Sequence, residues 1–201
     1  EDYFRIICPA LARAHNKSHI LKNITQEINF KDVTDKYVSL GIFGPNSRKF
    51  LNNLVGRYFL KEDFPFATGK YLNFLNTKIW FQRLSFIGEL GWELYIPIEN
   101  SKKIFKKIQN LGKKYNLCYS GMHTLDTLRL EKKYLHWGHD ITSENNPIEA
   151  GLGFAVSLKK KQDFIGRKSI ERIIKEPMKK KLELFSLKDN NKPGTPLLMH
   201  D

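Results

Sequence analysis

The sequence predicts an α+β fold in which helices cover one face of an antiparallel sheet. Apolar and polar residues alternate in several short segments, as in strands with one buried face. Other segments place apolar residues three and four positions apart, which is typical of amphipathic helices. The segments follow in the order strand, helix, strand, strand, helix, with no internal repeat, and this order favours a split βαβ (ferredoxin-like) arrangement.

The N-terminal quarter contains four predicted elements. Tyr3 to Cys8 is expected to form a strand, and Pro9 to Ile24 a helix with a loose apolar face. Two further strands are predicted, over Gln26 to Thr34 and over Tyr37 to Phe43. The last has the most regular alternation, with Val38, Leu40 and Ile42 as its apolar residues.

The next segment predicts a helix, two strands and a second helix. Gly44 to Ser47 opens the first helix, with proline in the first turn, where a missing N–H costs nothing. Gly56 ends this helix. Thr68 to Asn76 and Thr77 to Phe86 are predicted strands, and Ser101 is the predicted cap of the next helix.

A hairpin around residues 78–97 contains the most informative side chain. Gly88 and Gly91 indicate a turn, because glycine adopts positive φ without a Cβ clash. Trp92 to Ile96 is the predicted return strand, and Pro97 ends it. Glu93 therefore lies among large apolar residues, where a carboxylate needs a partner to satisfy it. We expect that partner to be a ligand.

The C-terminal third contains a helix, an ordered loop and a linker. A helix begins at Gly121, and the polar loop from Trp137 to Ala150 is of a kind that often carries functional residues. Ile165 to Ile174 is a predicted helix, and Lys181 to Leu187 a predicted strand. We expect a first domain over residues 1–155, a helix and linker over 156–178, and the start of a truncated C-terminal β unit over 179–201.

Composition and charge narrow the function classes. The chain of 201 residues has a formal net charge of +13, but its lysines cluster without interleaved stacking aromatics, which disfavours nucleic-acid binding. A minority alternative is docking of an anionic partner, such as the polyglutamate tail of cellular folates. Two cysteines without metal-ligand spacing and no apolar run of membrane-spanning length predict a cytoplasmic protein that binds neither metal nor membrane.

Several motifs resemble one family in the same order and at similar spacing. They are Ser85 to Tyr95 (containing Gly-Glu-Leu-Gly-Trp-Glu), Leu125 to Lys132, Trp137 to Leu152, and Asp163 to Arg167. The resemblance is to the folate-binding aminomethyltransferase fold, which includes the glycine-cleavage T-protein and the C-terminal halves of dimethylglycine and sarcosine dehydrogenases. The amino-acid sequence of the first motif is more similar to the dehydrogenase branch than to the T-protein.

The resemblance implies a cofactor, tetrahydrofolate, and three residues that bind it. Glu93 matches the family glutamate that binds the pterin ring. Phe86 stands where the family usually has a tyrosine, so its ring is expected to pack on the ligand without the hydroxyl's hydrogen bond. Trp137 is a candidate wall of the same pocket.

The resemblance also implies what the chain lacks. The family's catalytic aspartate belongs upstream of residue 1, so the catalytic residue is unknown and the segment is expected to be incomplete and inactive alone. FAD is expected only in a missing upstream domain. Leu125 stands where the T-protein carries an arginine, and no Lys-Gly-Cys-Tyr motif of RNA-modifying relatives is present.

Two functions stay open at this point. The first is formation of 5,10-methylenetetrahydrofolate in a protein similar to dimethylglycine or sarcosine dehydrogenase, with a methylamine as substrate. The alternative is the aminomethyltransferase of glycine cleavage, with a lipoyl carrier protein as partner. The sequence leaves the oligomeric state open.

Overall fold

The computed structural model describes residues 3–185. These residues fall into two compact units, within Glu1–Leu128 and Arg129–Asp201. The domain boundaries expected at residues 155 and 178 stay a prediction. Within the described range, no helix is both long and apolar enough to cross a membrane.

The first unit contains a four-stranded antiparallel sheet. Its strands are β1 (Tyr37–Phe43), β2 (Gly69–Phe74), β3 (Thr77–Gln82) and β4 (Gly91–Pro97). Their spatial order is β1-β4-β3-β2, so β4 lies between the first strand and the β2–β3 hairpin. Antiparallel pairing joins every neighbouring pair.

Two helices, α2 (Ser47–Val55) and α3 (Ile98–Gly112), supply buried side chains to the core beneath this sheet. The core combines apolar residues of the four strands with Phe50, Leu51 and Leu54 of α2 and Ile104 and Ile108 of α3. Phe59 and Phe64, from the connection between α2 and β2, are fully buried there and stack on each other at 5.6 Å. The predicted α+β class, with an antiparallel sheet and helices on one face, is confirmed.

Three further helices complete the description. A 3-10 turn, Ala10–Ala12, continues into α1 (Arg13–Asn23); α4 spans Met122–Glu131 and α5 spans Arg167–Lys175. An apolar face was predicted for α1, but none of its residues, Arg13–Asn23, is buried in the described part of the chain.

Two predicted strands are wrong. Residues 3–8 belong to no strand, and residues 26–34 run from a turn through irregular backbone to a 3-10 helix, Thr34–Lys36. In the second segment the Asp32 carboxylate accepts hydrogen bonds from the backbone N–H and the hydroxyl of Thr34, at 3.1 and 2.7 Å, and Arg13 pairs with the same carboxylate. An aspartate that bonds the backbone two residues on favours a turn over an extended strand.

The structure also shifts two predicted boundaries. β3 ends at Gln82 rather than Phe86, because the Leu84 N–H bonds the Gln82 carbonyl at 3.0 Å and turns the chain away from the sheet. The connection to β4 is therefore an eight-residue loop, residues 83–90, not a tight turn. α3 begins at Ile98, so Ser101 lies inside the helix, where its hydroxyl donates to the Ile98 carbonyl at 2.7 Å.

The predicted strand over residues 181–187 is only partly within the described range. Residues 181–185 are not in a strand, although the Leu182 N–H donates to the Glu149 carbonyl at 2.9 Å. Residues 186 and 187, and most of the expected C-terminal β unit, lie outside the described residues.

Candidate functional site

Strand β4 presents two chemically different faces. Trp92, Leu94 and Ile96 are buried in the core that the helices cover. Successive side chains of a strand point to opposite faces, so Glu93 and Tyr95 project from the other side of the sheet. Both are half-buried there. We call this side, with the outward residues of all four strands, the open face.

Glu93 lies near the middle of the open face. Its register partners are Gly41 of β1 and Gln82 of β3. The Tyr95 hydroxyl donates a hydrogen bond to Oε2 of Glu93 at 2.6 Å. The other carboxylate oxygen, Oε1, has no hydrogen-bond donor among the described residues. One oxygen is therefore held in place while the other remains available to a ligand.

The Tyr95 phenol stays a neutral donor over the physiological pH range. Burial raises the pKa of Tyr95 well above its usual value, and the hydrogen bond to the Glu93 carboxylate raises it further. The phenol therefore keeps its proton and continues to donate it to Oε2. A hydrogen bond to a charged acceptor is stronger than one between neutral groups.

Two glycines make room for an aromatic ring next to Glu93. A Cβ on Gly41 would lie 2.3 Å from the Phe43 ring, and a Cβ on Gly91 would lie 2.2 Å from it and 2.5 Å from the Ile42 carbonyl. The Phe43 ring therefore lies close against the backbone of β1 and β4. It adds a half-buried apolar surface beside the Glu93 carboxylate.

The other side of Glu93 carries polar and aromatic side chains. Gln82 accepts a hydrogen bond at its Oε1 from the Trp80 indole N–H at 3.3 Å. Trp80 packs edge-on against Tyr71 of β2, with ring centroids 4.9 Å apart. The Arg5 guanidinium lies over Trp80, 4.7 Å from the ring centroid. The open face thus combines a carboxylate, an amide, a cation and several aromatic rings.

Phe86 lies in the loop between β3 and β4 and is half-buried. This loop is anchored at its end, where the Leu90 carbonyl accepts the Gly44 N–H at 2.8 Å and the Ser47 hydroxyl at 3.0 Å. Gly88 in the same loop has φ 74°, as its predicted turn role requires. Contact of Phe86 with a ligand stays a prediction.

Trp137 belongs to the second unit, where its side chain is 46% exposed and its backbone forms a bridge with Ile141. Its role as a pocket wall stays a prediction. The nearby Asp140 is structural: it accepts hydrogen bonds from the Arg129 guanidinium and from the His136 backbone N–H. Burial opposes ionisation of Asp140, but these hydrogen bonds outweigh it and hold its pKa below the usual value.

Arg129 explains why this loop is ordered. Its side chain is buried, and besides Asp140 it bonds the Tyr134 carbonyl at 3.0 Å. Arg129 is thus a structural residue that bonds the backbone and the loop. No group of three metal-ligating side chains comes together anywhere in residues 3–185.

Glu93 lines neither of two cavities found among the described residues. One, of about 550 Å³, is lined by residues of α2, by the end of α3 and by Lys114 and Tyr115, which follow α3. The other, of about 350 Å³, lies in the second unit beside Phe154 and Ile170. The Glu93 side of the sheet therefore belongs to neither cavity.

Sequence reasoning identified Glu93 but missed its neighbours on the open face. Tyr95 and Gln82 carried a usable signal, since residues two apart on a strand, or opposite each other in an antiparallel pair, share a face. Arg5 carried no such signal, because nothing in residues 3–8 indicates which strands they cross. Phe43 was predicted only as the end of a strand.

The amino-acid sequence is similar to those of several known proteins. Residues 1–160 match the GCVT N-terminal domain family. Human sarcosine dehydrogenase is 33% identical over 94% of this chain and 21% of its own length. Human dimethylglycine dehydrogenase is 35% identical over 80% of the chain and 19% of its own length. An aminomethyltransferase of Halothermothrix orenii is 33% identical over 98% of the chain and 55% of its own length.

The relatives correct one prediction and set the scale of the chain. The two human dehydrogenases are named as mitochondrial, so the predicted cytoplasmic location is wrong. The chain spans about a fifth of the length of these dehydrogenases and about half of the aminomethyltransferase. The match over 160 of 201 residues, together with the antiparallel sheet that carries Glu93, establishes that the chain belongs to the GCVT N-terminal domain family.

Proposed function

We propose that this chain binds tetrahydrofolate on the open face of its sheet and takes part in formation of 5,10-methylenetetrahydrofolate. The observation that carries the proposal is the half-buried Glu93 carboxylate, with one oxygen bonded to Tyr95 and the other without a described donor. A pterin ring presents an amino group and a ring N–H side by side, and a carboxylate accepts such a pair as a fork.

The neighbours of Glu93 suit a flat heterocycle. Tyr95 fixes the carboxylate, which reduces the rotational freedom that would be lost on binding. Phe43 provides an apolar surface on one side, and Gln82 provides an amide on the other. In this proposal Phe86 adds a further aromatic ring to the surroundings of the ligand.

Bound tetrahydrofolate supplies the nucleophilic N5 that captures the one-carbon unit. The chain's residues contribute by holding the ring in one orientation and by limiting access of water to the reacting carbon. In the favoured version, the carbon comes from an N-methylated amine that an FAD-containing part of the full-length protein oxidises. The mitochondrial relatives support a mitochondrial location for this reaction.

The alternative is an aminomethyltransferase that receives its carbon from a lipoyl carrier protein. The Halothermothrix orenii relative, which matches 98% of the chain, supports this version equally. Leu125, in place of the arginine that the T-protein carries, favours the dehydrogenase version. Supplying the full-length protein with sarcosine or with an aminomethyl-lipoyl carrier would separate the two versions. Sarcosine should yield 5,10-methylenetetrahydrofolate only in the dehydrogenase version, and the lipoyl carrier only in the aminomethyltransferase version.

Titration calorimetry with tetrahydrofolate tests the binding proposal. Glu93→Gln should weaken binding by about 1.5–3 kcal/mol, the range for a hydrogen bond to a charged group. Glu99→Gln is the matched control, because Glu99 is exposed at the start of α3 and its replacement removes the same charge. Equal affinities of the wild-type protein and Glu93→Gln, or no binding by the wild-type protein, would reject the proposal.

A further inference from the structure

Arg5 makes an unusual set of contacts on the open face. Its guanidinium lies 4.7 Å from the centroid of the Trp80 ring and 5.6 Å from that of Tyr71. Its Nη2 donates a hydrogen bond to the Tyr71 hydroxyl at 2.5 Å. These contacts hold the planar cation against two neighbouring strands, because Tyr71 of β2 and Trp80 of β3 are directly opposite each other.

The second guanidinium nitrogen of Arg5, Nη1, makes no hydrogen bond within the described residues. It is buried, and no hydrogen-bond acceptor for it exists among residues 3–185. No carboxylate of the described residues pairs with Arg5 either. A buried donor without an acceptor is destabilising, and such groups in native structures call for an explanation, of which a missing ligand is one.

Arg5 lies within reach of a ligand that is bound at Glu93. Trp80, on which the guanidinium rests, is the register partner of Tyr95, and Tyr95 bonds Glu93. Neighbouring strands are about 4.8 Å apart, and residues two apart on one strand are separated by about 6.7 Å. Arg5 and Glu93 thus lie on the same face of the sheet, over the neighbouring strands β3 and β4.

We infer that Arg5 binds a carboxylate of a ligand that lies on the open face, with Nη1 as the donor. This inference rests on the proposed function, in which Glu93 binds the pterin ring. Arginine suits the role, because its fork of N–H groups matches the two oxygens of a carboxylate. Two ligands provide one: the glutamate tail of tetrahydrofolate, and an N-methylated amino acid as the source of the carbon.

Two reduced pterins separate the role of Arg5 from that of Glu93. Tetrahydrofolate carries carboxylates, whereas 6-methyltetrahydropterin has the same ring system without them. Both are titrated into the intact protein and into Arg5→Gln, Arg5→Lys and Arg57→Gln. Arg57 is an exposed residue in the connection after α2, so its replacement is a control for the change in net charge. Sarcosine is then titrated into each protein saturated with 6-methyltetrahydropterin.

The inference predicts a selective loss. If the carboxylate bound by Arg5 belongs to the folate tail, Arg5→Gln weakens the binding of tetrahydrofolate about tenfold to a hundredfold. The same variant keeps its affinity for 6-methyltetrahydropterin within about twofold, and Arg5→Lys retains part of the affinity for tetrahydrofolate. If the amino acid is the source, the loss of affinity falls on sarcosine alone. Arg57→Gln should change none of these affinities.

Other outcomes overturn the inference. Equal weakening of both pterins in Arg5→Gln and Arg5→Lys would make Arg5 a purely structural residue of the sheet face. Unchanged affinities for all three ligands would remove it from the site. Failure of the wild-type protein to bind either pterin would reject the proposed function itself, which is a different result from either of these.

Discussion

The two faces of one four-stranded sheet differ in what their side chains do. On the covered face, Leu94 and its neighbours on β4 are part of the hydrophobic core that the helices cover. On the open face, Glu93 and Tyr95 alternate with them along the same strand and keep one carboxylate oxygen available. One strand thus serves stability and binding separately, because its side chains alternate between faces.

The largest effect should come from the covered face. Leu94→Ala removes a fully buried side chain from the middle of the core and should lower the free energy of unfolding by about 2–5 kcal/mol. Urea unfolding followed by circular dichroism measures this loss. A change below about 0.5 kcal/mol, the level of ordinary surface substitutions, would mean that this face is not the core.

A smaller effect should follow from closing the space beside Phe43. Gly91→Ala places a Cβ against the Ile42 carbonyl as well as the Phe43 ring, and a backbone atom cannot move aside as easily as a side chain. The free energy of unfolding should fall by about 1–3 kcal/mol, as in overpacked cores. Tetrahydrofolate binding should weaken too, since the ring next to Glu93 is displaced. Gly121→Ala is the control, because a Cβ there meets nothing within 4 Å.

A still smaller effect should come from the open face. Tyr95→Phe removes the hydroxyl that fixes Oε2 of Glu93 and keeps the ring. Tetrahydrofolate binding should weaken by about 0.5–1.5 kcal/mol, the net value of one hydrogen bond. Calorimetry on the variant beside Glu93→Gln tests this order, since Tyr95→Phe should have the smaller effect. A loss larger than that of Glu93→Gln would mean that Tyr95 itself contacts the ligand.

Asp140 of the second unit provides a contrast to Glu93, because a buried guanidinium and a backbone N–H both donate to it, whereas Glu93 accepts one hydrogen bond, from Tyr95. Its pKa is lower in the folded protein than in the unfolded chain, so its stabilising contribution is present above the ordinary carboxyl value, about 3.9, and is lost as pH falls through the folded value. Asp140→Asn should therefore destabilise the protein at pH 7 and have less effect near pH 3. Urea midpoints at both pH values test this, and an equal loss at both would contradict it.

The elements that were predicted correctly are those whose own residues carry a clear local pattern. β1 was predicted with its observed bounds, because Val38, Leu40 and Ile42 alternate strictly with small or polar residues. α2 was found from its apolar stripe and from Gly56, which has φ 128°. Glu93 was found because a carboxylate in an apolar strand is rare enough to attract attention.

The remaining errors have two causes, one an interaction between distant residues and the other a local backbone hydrogen bond. Residues 3–8 have the composition of a strand, but the apolar pattern does not say whether a neighbouring strand is available to pair with them. Arg5 therefore entered the site unpredicted, through contacts 66 and 75 residues away in sequence, at Tyr71 and Trp80. The end of β3 was misplaced because a single backbone hydrogen bond, from Leu84 to Gln82, turns the chain.

The most direct test of the central claim pairs a change in the protein with a change in the ligand. Tetrahydrofolate and an analogue in which hydrogen replaces the exocyclic amino group of the pterin are titrated into the wild-type protein and Glu93→Gln. If Glu93 accepts a hydrogen bond from that amino group, the substitution in the protein and the change in the ligand each remove the same interaction. The four affinities should then give a coupling free energy of about 1–3 kcal/mol. Additive losses, with a coupling free energy near zero, would contradict the claim that Glu93 binds the pterin ring.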